Sequence, residues 1–404
     1  MLPVSLDSLL TIPDLAGATV CVTVADSSGA ILYDHNGGTR VSPASNEKLF
    51  SNAFALWELG PDYRPQTNFW KRPDGVYVES TGSPTMAWQD LKTVAAGLGL
   101  DGTATVFVKE PYSPGWVDGW EIDDIRYRYG APVAAFSVDQ SGVDLWNRNG
   151  KLSIEPRPYG IRTETVDGPT DYRYDPIQGV LTVSGKLPNK TERIDRLGLP
   201  SAEGAASSWL GKSWRRVTKT PDAQPDLTIE GPPLTDIVAQ CLERSDNNMA
   251  ENLLLMGAGH EGALPLDPYP LALSRLKSFE TRIVNIPAQE VLQRDGSGLT
   301  RGNLVTAHAI VDLLAWCDKQ PTAELWKNSL TRPDAGTLAH RLKGIEFRGK
   351  TGSLSNVTAL SGYLINSRKN RRIVSVLING YSCSEKQAVQ AVDNFVRFVA
   401  ENGP

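Results

Sequence analysis

Pro43-Ala44-Ser45-Asn46-Glu47-Lys48-Leu49-Phe50-Ser51-Asn52-Ala53-Phe54-Ala55-Leu56-Trp57 is the stretch on which the reading of this chain turns. Leu49, Phe50, Ala53, Phe54, Leu56 and Trp57 recur at three- and four-residue spacing, which predicts a helix with one apolar face. Ser45 falls at its N-terminal end, and Lys48, three residues on, shares its face. A serine hydroxyl is a weak nucleophile until a base takes its proton. A lysine can be that base only if its pKa falls, and burial or a nearby positive charge both push it down. The helix N-terminus adds backbone N–H groups and a positive dipole end, which suit a developing oxyanion.

Ser-x-x-Lys alone is weak evidence, because it arises about once by chance in a chain of this length. Ser274-Arg275-Leu276-Lys277 is a second match, in a stretch whose leucines suggest simple helix packing. Order along the chain favours Ser45. It is followed by Ser245-Asp246-Asn247 and then by Lys350-Thr351-Gly352-Ser353. Ser245 to Asn247 precede a helical pattern over 248–256 and read either as a helix N-cap or as a proton relay (Ser245) with an amide contact (Asn247). Lys350 opens a predicted strand, either as an edge lysine opposing aggregation or as a cation for a carboxylate, with Thr351 supplying a hydroxyl. Gly352 would let a ligand approach the backbone. Lys350 would also help keep Lys48 neutral.

Outward from these motifs, residues 18–34 read as two strands around the Asp26–Gly29 turn. Residues 350–365 and 372–378 read as strands. Residues 385–401 form a strong amphipathic pattern, with Val389, Val392, Phe395, Val396 and Val399 on one side. Helical patterns also cover 236–244, 250–256 and 305–316. Both ends of the chain thus supply strands and helices to one layer, an α/β sandwich with a mixed or antiparallel sheet. The middle differs. It holds seven of the ten tryptophans, many Pro and Gly, and strand-like runs at 104–108 and 179–183. The expected division is a discontinuous catalytic domain, 1–62 plus 230–404, with a β-rich insertion at 63–229.

The 404 residues exceed one ordinary core. A net charge of −5 provides no basic footprint for nucleic acid. Four scattered histidines and four cysteines without a Cys-x-x-Cys pair predict no metal site and no disulfide framework. No apolar run of about 18 residues predicts a transmembrane helix. Residues 1–6 show no basic region followed by a long apolar one, so no signal peptide is visible. No cofactor is expected.

The ordered triple resembles the penicillin-binding D-alanyl-D-alanine carboxypeptidases of the class C low-molecular-mass type. The resemblance covers most of the chain. It rests on Pro43 to Lys48, Ser245 to Glu251, Asp295-Gly296-Ser297-Gly298-Leu299 and Gly349 to Leu354, with about 200 residues between the first two motifs. It implies the penicillin-binding, serine β-lactamase-like transpeptidase fold, an antiparallel sheet flanked by helices with a large β-rich insertion. By the same resemblance Ser45 is the acylated nucleophile and Lys48 its general base. Ser245 and Asn247 line the cleft, Lys350 and Thr351 hold the terminal carboxylate, and the N–H groups of Ser45 and Ser353 form the oxyanion hole. Trp120 and Asp123 (or Asp124) in the insertion would recognise an amino group on the stem peptide, by cation–π attraction and ion pairing. The turn at Asp295 to Gly298 would shape the cleft. The implied partners are peptidoglycan stem peptides and β-lactam antibiotics, and the implied location is periplasmic or otherwise extracytoplasmic.

Two rivals remain at this level. β-Lactamase-like esterases usually carry Tyr-x-Asn where this chain has Ser245-Asp246-Asn247. A non-catalytic scaffold binding wall fragments through the Trp-rich insertion would not require all three motifs. No Glu-x-x-Leu-Asn follows the second motif, which argues against efficient β-lactamase turnover.

Overall fold

The computed structural model describes residues 6–156, 160–260 and 262–403. They divide into two compact units, one of residues 1–62, 234–258 and 269–404, the other of 63–233 and 259–268. This differs from the sequence expectation by a few residues at one boundary and by the loop 259–268, which carries Pro265 and Pro268 between two helices and joins the second unit.

The first unit is built on one five-stranded sheet in the order Glu346–Leu354, Val357–Ile365, Arg371–Asn379, Thr19–Asp26, Ile31–His35, with every neighbouring pair antiparallel. The three central strands are buried along most of their length. They read as near-continuous apolar runs because helices cover both faces. On one face Val20, Val22, Val24, Leu360, Val374, Val376 and Ile378 join Phe395, Val396 and Val399 of the helix Glu385–Asn402 in one core. That helix starts at Ser384, whose hydroxyl caps Gln387 N–H while the Gln387 side chain returns to Ser384. On the other face lies the helix Ala307–Cys317, and beyond it a helical layer containing Lys48–Leu59, Leu234–Arg244 and Asn247–Ala258. The architecture is the expected α/β sandwich with an antiparallel sheet. The apolar pattern at 305–316 resolves into a two-residue strand, Leu304–Val305, and the helix from Ala307, because Thr306 accepts from Ala309 N–H and fixes the helix start.

The second unit is β-rich. Its largest sheet runs Ser213–Arg216, Thr105–Lys109, Gly75–Ser80, Gln66–Arg72, Leu227–Glu230, around a core of Phe69, Val76, Val78, Val106 and Val108 with Leu91 and Val94 of the helix Trp88–Gly97. Two three-stranded sheets, one of Arg162–Val166, Val180–Ser184 and Asp171–Asp175, the other of Thr191–Gly198, Gly142–Arg148 and Lys151–Glu155, share a separate core through Val143, Leu145, Tyr174, Leu181 and Leu197. Among the described residues no helix is long and apolar enough to cross a membrane.

Candidate active site

All three motifs lie in the first unit, and their polar side chains meet. Ser45 sits in a single 3-10 turn, Ala44–Glu47, that runs directly into the helix beginning at Lys48. Ala44 enters that turn at φ +46, a left-handed conformation uncommon for a residue with a Cβ. Gly298 and Gly352 make room for it. A Cβ on Gly298 would lie 1.8 Å from Ala44 O, and one on Gly352 would lie 2.8 Å from Pro43 O. The space beside Gly352 where a Cβ would lie is bordered by the loop that carries the nucleophile. Asn46 closes the arrangement by donating to Lys350 O at 3.1 Å, which ties the nucleophile turn to the Lys350 strand.

The three-residue spacing places Lys48 Nζ 2.9 Å from Ser45 Oγ. Lys48 Nζ also lies 2.6 Å from Asn247 Oδ1 and 2.7 Å from Ser297 O. The last two atoms can only accept. A neutral amine has two N–H bonds and one lone pair, so spending both N–H bonds on Asn247 and Ser297 leaves the lone pair directed at Ser45 Oγ–H. That is the geometry of a base loaded against a nucleophile. Lys48 is fully buried, and burial lowers its pKa from the ordinary lysine value, against opposing effects of Cys241, Asp295, Glu251 and Asp246.

Ser297 O is held there by the Asp295 turn. Asp295 Oδ1 accepts from Ser297 N–H at 3.2 Å, Gly298 N–H at 2.7 Å and Asn303 Nδ2 at 2.8 Å, and Oδ2 accepts from Thr300 N–H at 2.7 Å. Ser51 Oγ donates to Gly296 O, and Glu251 Oε2 accepts from Gly296 N–H and from Tyr269 Oη. Behind this turn Glu47, Glu251 and Glu280 are all buried. Burial pushes all three carboxyls up, to about 8 for Glu251 and for Glu280, and for Glu47 well above the usual range with help from Glu280 and Asp295. Each shift favours the neutral carboxylic acid over the carboxylate in this buried region.

The second motif splits its duties. Asp246 Oδ1 accepts from Met249 N–H and caps the helix Asn247–Ala258, so the capping role belongs to Asp246. Ser245, at φ +57, is left to meet Lys350 Nζ at 2.8 Å, and Asn247 to meet Lys48. Lys350 Nζ also donates to Thr351 O. It is fully buried, and burial first, then the charge of Lys48, pulls its pKa well below the ordinary lysine value. Thr351 Oγ1 donates to Thr337 Oγ1, and Ser353 is exposed on the sheet's edge strand. Trp120 and Asp123 belong to the second unit. The indole is buried, whereas the Asp123 carboxylate is exposed and lies 3.4 Å from Arg126. Asp124, the alternative, accepts from Tyr129 Oη.

Sequence reasoning did not find Asn46, Thr337, the Ser297 carbonyl or the buried glutamates. The Asp295-Gly-Ser-Gly turn was the available signal for Ser297, since it was visible as a turn but not as a carrier of an acceptor. Among the described residues no group of His, Cys, Asp and Glu could hold a metal ion.

The profile of the D-Ala-D-Ala carboxypeptidase 3 (S13) family matches residues 2–154 and 210–402. The chain is 28% identical to a D-alanyl-D-alanine carboxypeptidase of Actinomadura sp. (strain R39), over 95% of this chain and 82% of that protein. It is 27% identical to the D-alanyl-D-alanine carboxypeptidase DacB of Haemophilus influenzae, over 89% and 84%. Among solved structures it is similar to penicillin binding protein 4 (dacB) from H. influenzae, with a TM-score of 0.81 and 21% identity over 98% of this chain and 100% of that one. At that identity the likeness supports the fold.

Proposed function

This chain belongs to the D-Ala-D-Ala carboxypeptidase 3 (S13) family, and on that premise we propose that it is a serine D,D-peptidase acting on peptidoglycan stem peptides through an acyl-enzyme at Ser45. The observation that carries this reading is the placement of Lys48 Nζ, 2.9 Å from Ser45 Oγ with two acceptor-only partners on its other sides. Ser45 Oγ gives its proton to neutral Lys48 and attacks the carbonyl of the penultimate D-alanine. The oxyanion that forms is taken by the N–H groups of Ser45 and Ser353. The C–N bond breaks, the proton passes to the departing amine with Ser245 as relay, and D-alanine leaves. Water then hydrolyses the ester, with Lys48 again as base. Lys350 and Thr351 hold the terminal carboxylate. Because peptidoglycan lies outside the cytoplasmic membrane, the working location is extracytoplasmic. The same site acylated by a β-lactam releases slowly.

The test is intact-protein mass after incubation with benzylpenicillin, run beside D-alanine release from a stem pentapeptide. One stable adduct on wild type, absent from Ser45→Ala, together with D-alanine release, supports the reading. A folded wild type that forms no adduct and hydrolyses only p-nitrophenyl esters would replace it with the esterase.

A further inference from the structure

The hydroxyl of Thr351 has its proton already spent in this structure. Thr351 Oγ1 donates to Thr337 Oγ1 at 2.7 Å. A hydroxyl has one proton, and a carboxylate can only accept. To hold a substrate carboxylate, Thr351 must therefore turn its proton away from Thr337. What Thr337 does at that moment decides how well the carboxylate is held.

Thr337 is fixed beside Thr351 by contacts on both sides of it. It lies in the 3-10 turn Gly336–Leu338. Gly336 has φ +45, and a Cβ there would lie 2.5 Å from Glu243 O, in the helix Leu234–Arg244 that ends directly before Ser245. Leu338 is fully buried, in one core with Leu360 and Phe395. Its N–H donates to Ala335 O at 2.9 Å, and its carbonyl accepts from Asp334 N–H at 3.2 Å. Upstream, Thr331 Oγ1 donates to Leu242 O at 3.2 Å, while its backbone bridges to Gly349, two residues before Thr351. The segment 331–338 is thus fastened to the helix that leads into Ser245 and to the strand that carries Lys350 and Thr351.

Thr337 Oγ1 makes no other hydrogen bond among the described residues, so its own proton is uncommitted. The pair can reverse. Thr337 then donates to Thr351 Oγ1, and Thr351 donates onward to the carboxylate. A hydroxyl that accepts a hydrogen bond is polarised into a better donor, and a bond to an ionised acceptor is about twice as strong as a neutral one. The reversal keeps the bond between the two threonines and adds the charged one.

Resting on the proposed peptidase function, we propose that Thr337 is a positioning residue for carboxylate recognition, acting through Thr351 by reversing the hydrogen bond between the two hydroxyls. It serves a peptide and a β-lactam alike, because each presents a carboxylate. It moves no proton to or from the reacting centre.

The test is a double-mutant cycle in the full chain: Thr337→Val, Thr351→Val and the double variant, with Thr337→Ser as the variant that keeps the hydroxyl. It is read on D-alanine release from a stem pentapeptide and on acylation by benzylpenicillin. Thr337→Val should lower kcat/KM for the pentapeptide by about tenfold, the size of one lost hydrogen bond in a chain that ends on a charge. The loss should be carried by KM, and acylation should slow by a similar factor. Thr337→Ser should restore both. In the Thr351→Val background the Thr337→Val change should cost nothing further, because Thr337 acts only through Thr351. Additive losses, a loss carried by kcat, or no rescue by serine would make Thr337 a structural residue and overturn the proposal. So would an unchanged or tighter pentapeptide, the latter being the result if Thr337 merely competes for the Thr351 proton. Each of these leaves the peptidase standing. A folded wild type that neither releases D-alanine nor is acylated would overturn the peptidase reading and this inference with it.

Discussion

Ser297 O accepts a hydrogen bond from Lys48 Nζ at 2.7 Å, across 249 positions of sequence. The contact matters because it uses up an N–H that would otherwise compete with the lone pair for the Ser45 side of the amine. Ser297 owes its direction to Asp295, which accepts from Ser297, Gly298, Thr300 and Asn303. Asp295 acts on Lys48 through the Ser297 carbonyl. It is a positioning residue.

Asp295→Ala should therefore slow acylation by benzylpenicillin by about 100-fold or more, since small misplacement of a catalytic group costs about that much. Stability should fall by roughly 3 kcal/mol, as buried donors lose a charged acceptor. Stopped-flow acylation and chemical denaturation read the two effects. Loss of stability with an unchanged acylation rate in the folded fraction would show that the turn does not orient Lys48.

Gly298→Ala tests the neighbouring contact. Its φ of +82 already disfavours a side chain, and the added Cβ would lie 1.8 Å from Ala44 O. The backbone around Ser45 must shift to relieve that clash, so the variant should be refractory to acylation. Gly302→Ala, whose new Cβ would meet Arg294 Cγ at 3.2 Å, the side chain of a long residue, should keep acylation within about threefold, as mild repacking does. Similar penalties in both variants would remove the special status of the Ala44 contact.

The sandwich was legible in the sequence because its signals are local. The apolar, β-branched run at Thr19–Asp26 and the apolar face of Glu385–Asn402 each follow from residues a few positions apart. Ser45 and Lys48 were legible for the same reason, as one helical face. The close approach of Pro43 O to Gly352 was not legible, because the two lie more than 300 residues apart. The Thr331–Gly349 bridge was hidden likewise, since it joins a loop to an edge strand. Buried glutamates escape sequence reading altogether. Glu47 and Glu251 look like surface helix residues until the second helical layer covers them.

Glu251→Gln addresses that buried acid. The Glu251 carboxyl is raised from 4.5 to about 8 in the folded chain, so between those values the folded state holds a proton that the unfolded state has lost. Stability then falls as pH rises. Its contribution is complete below the unfolded pKa and is lost as pH climbs through the folded one. Gln keeps an acceptor for Gly296 N–H but does not titrate. Melting temperatures taken from about pH 5 to about pH 8.5, a span crossing that window, should decline less steeply for the variant than for wild type. Parallel curves would mean that Glu251 is ionised in the folded protein.

Lys350 supplies the last prediction. Its Nζ is buried and donates to Ser245 Oγ and Thr351 O, and burial and Lys48 both lower its pKa. In the empty site the Lys48–Lys350 pair therefore holds fewer protons than two free lysines. A substrate carboxylate arriving at Lys350 reverses this, because an opposite charge favours the ammonium form. The proton should settle on Lys350, leaving Lys48 neutral for attack. Binding of a stem pentapeptide to Ser45→Ala should accordingly take up a fraction of a proton, growing with pH over the range where the free pair is partly deprotonated, with affinity falling as pH rises. Calorimetry in buffers of different ionisation enthalpy measures the uptake directly. Lys350→Met should abolish it and weaken binding. Equal proton uptake in Ser45→Ala and in Ser45→Ala/Lys350→Met would assign the proton to another group and leave Lys350 as a permanent cation.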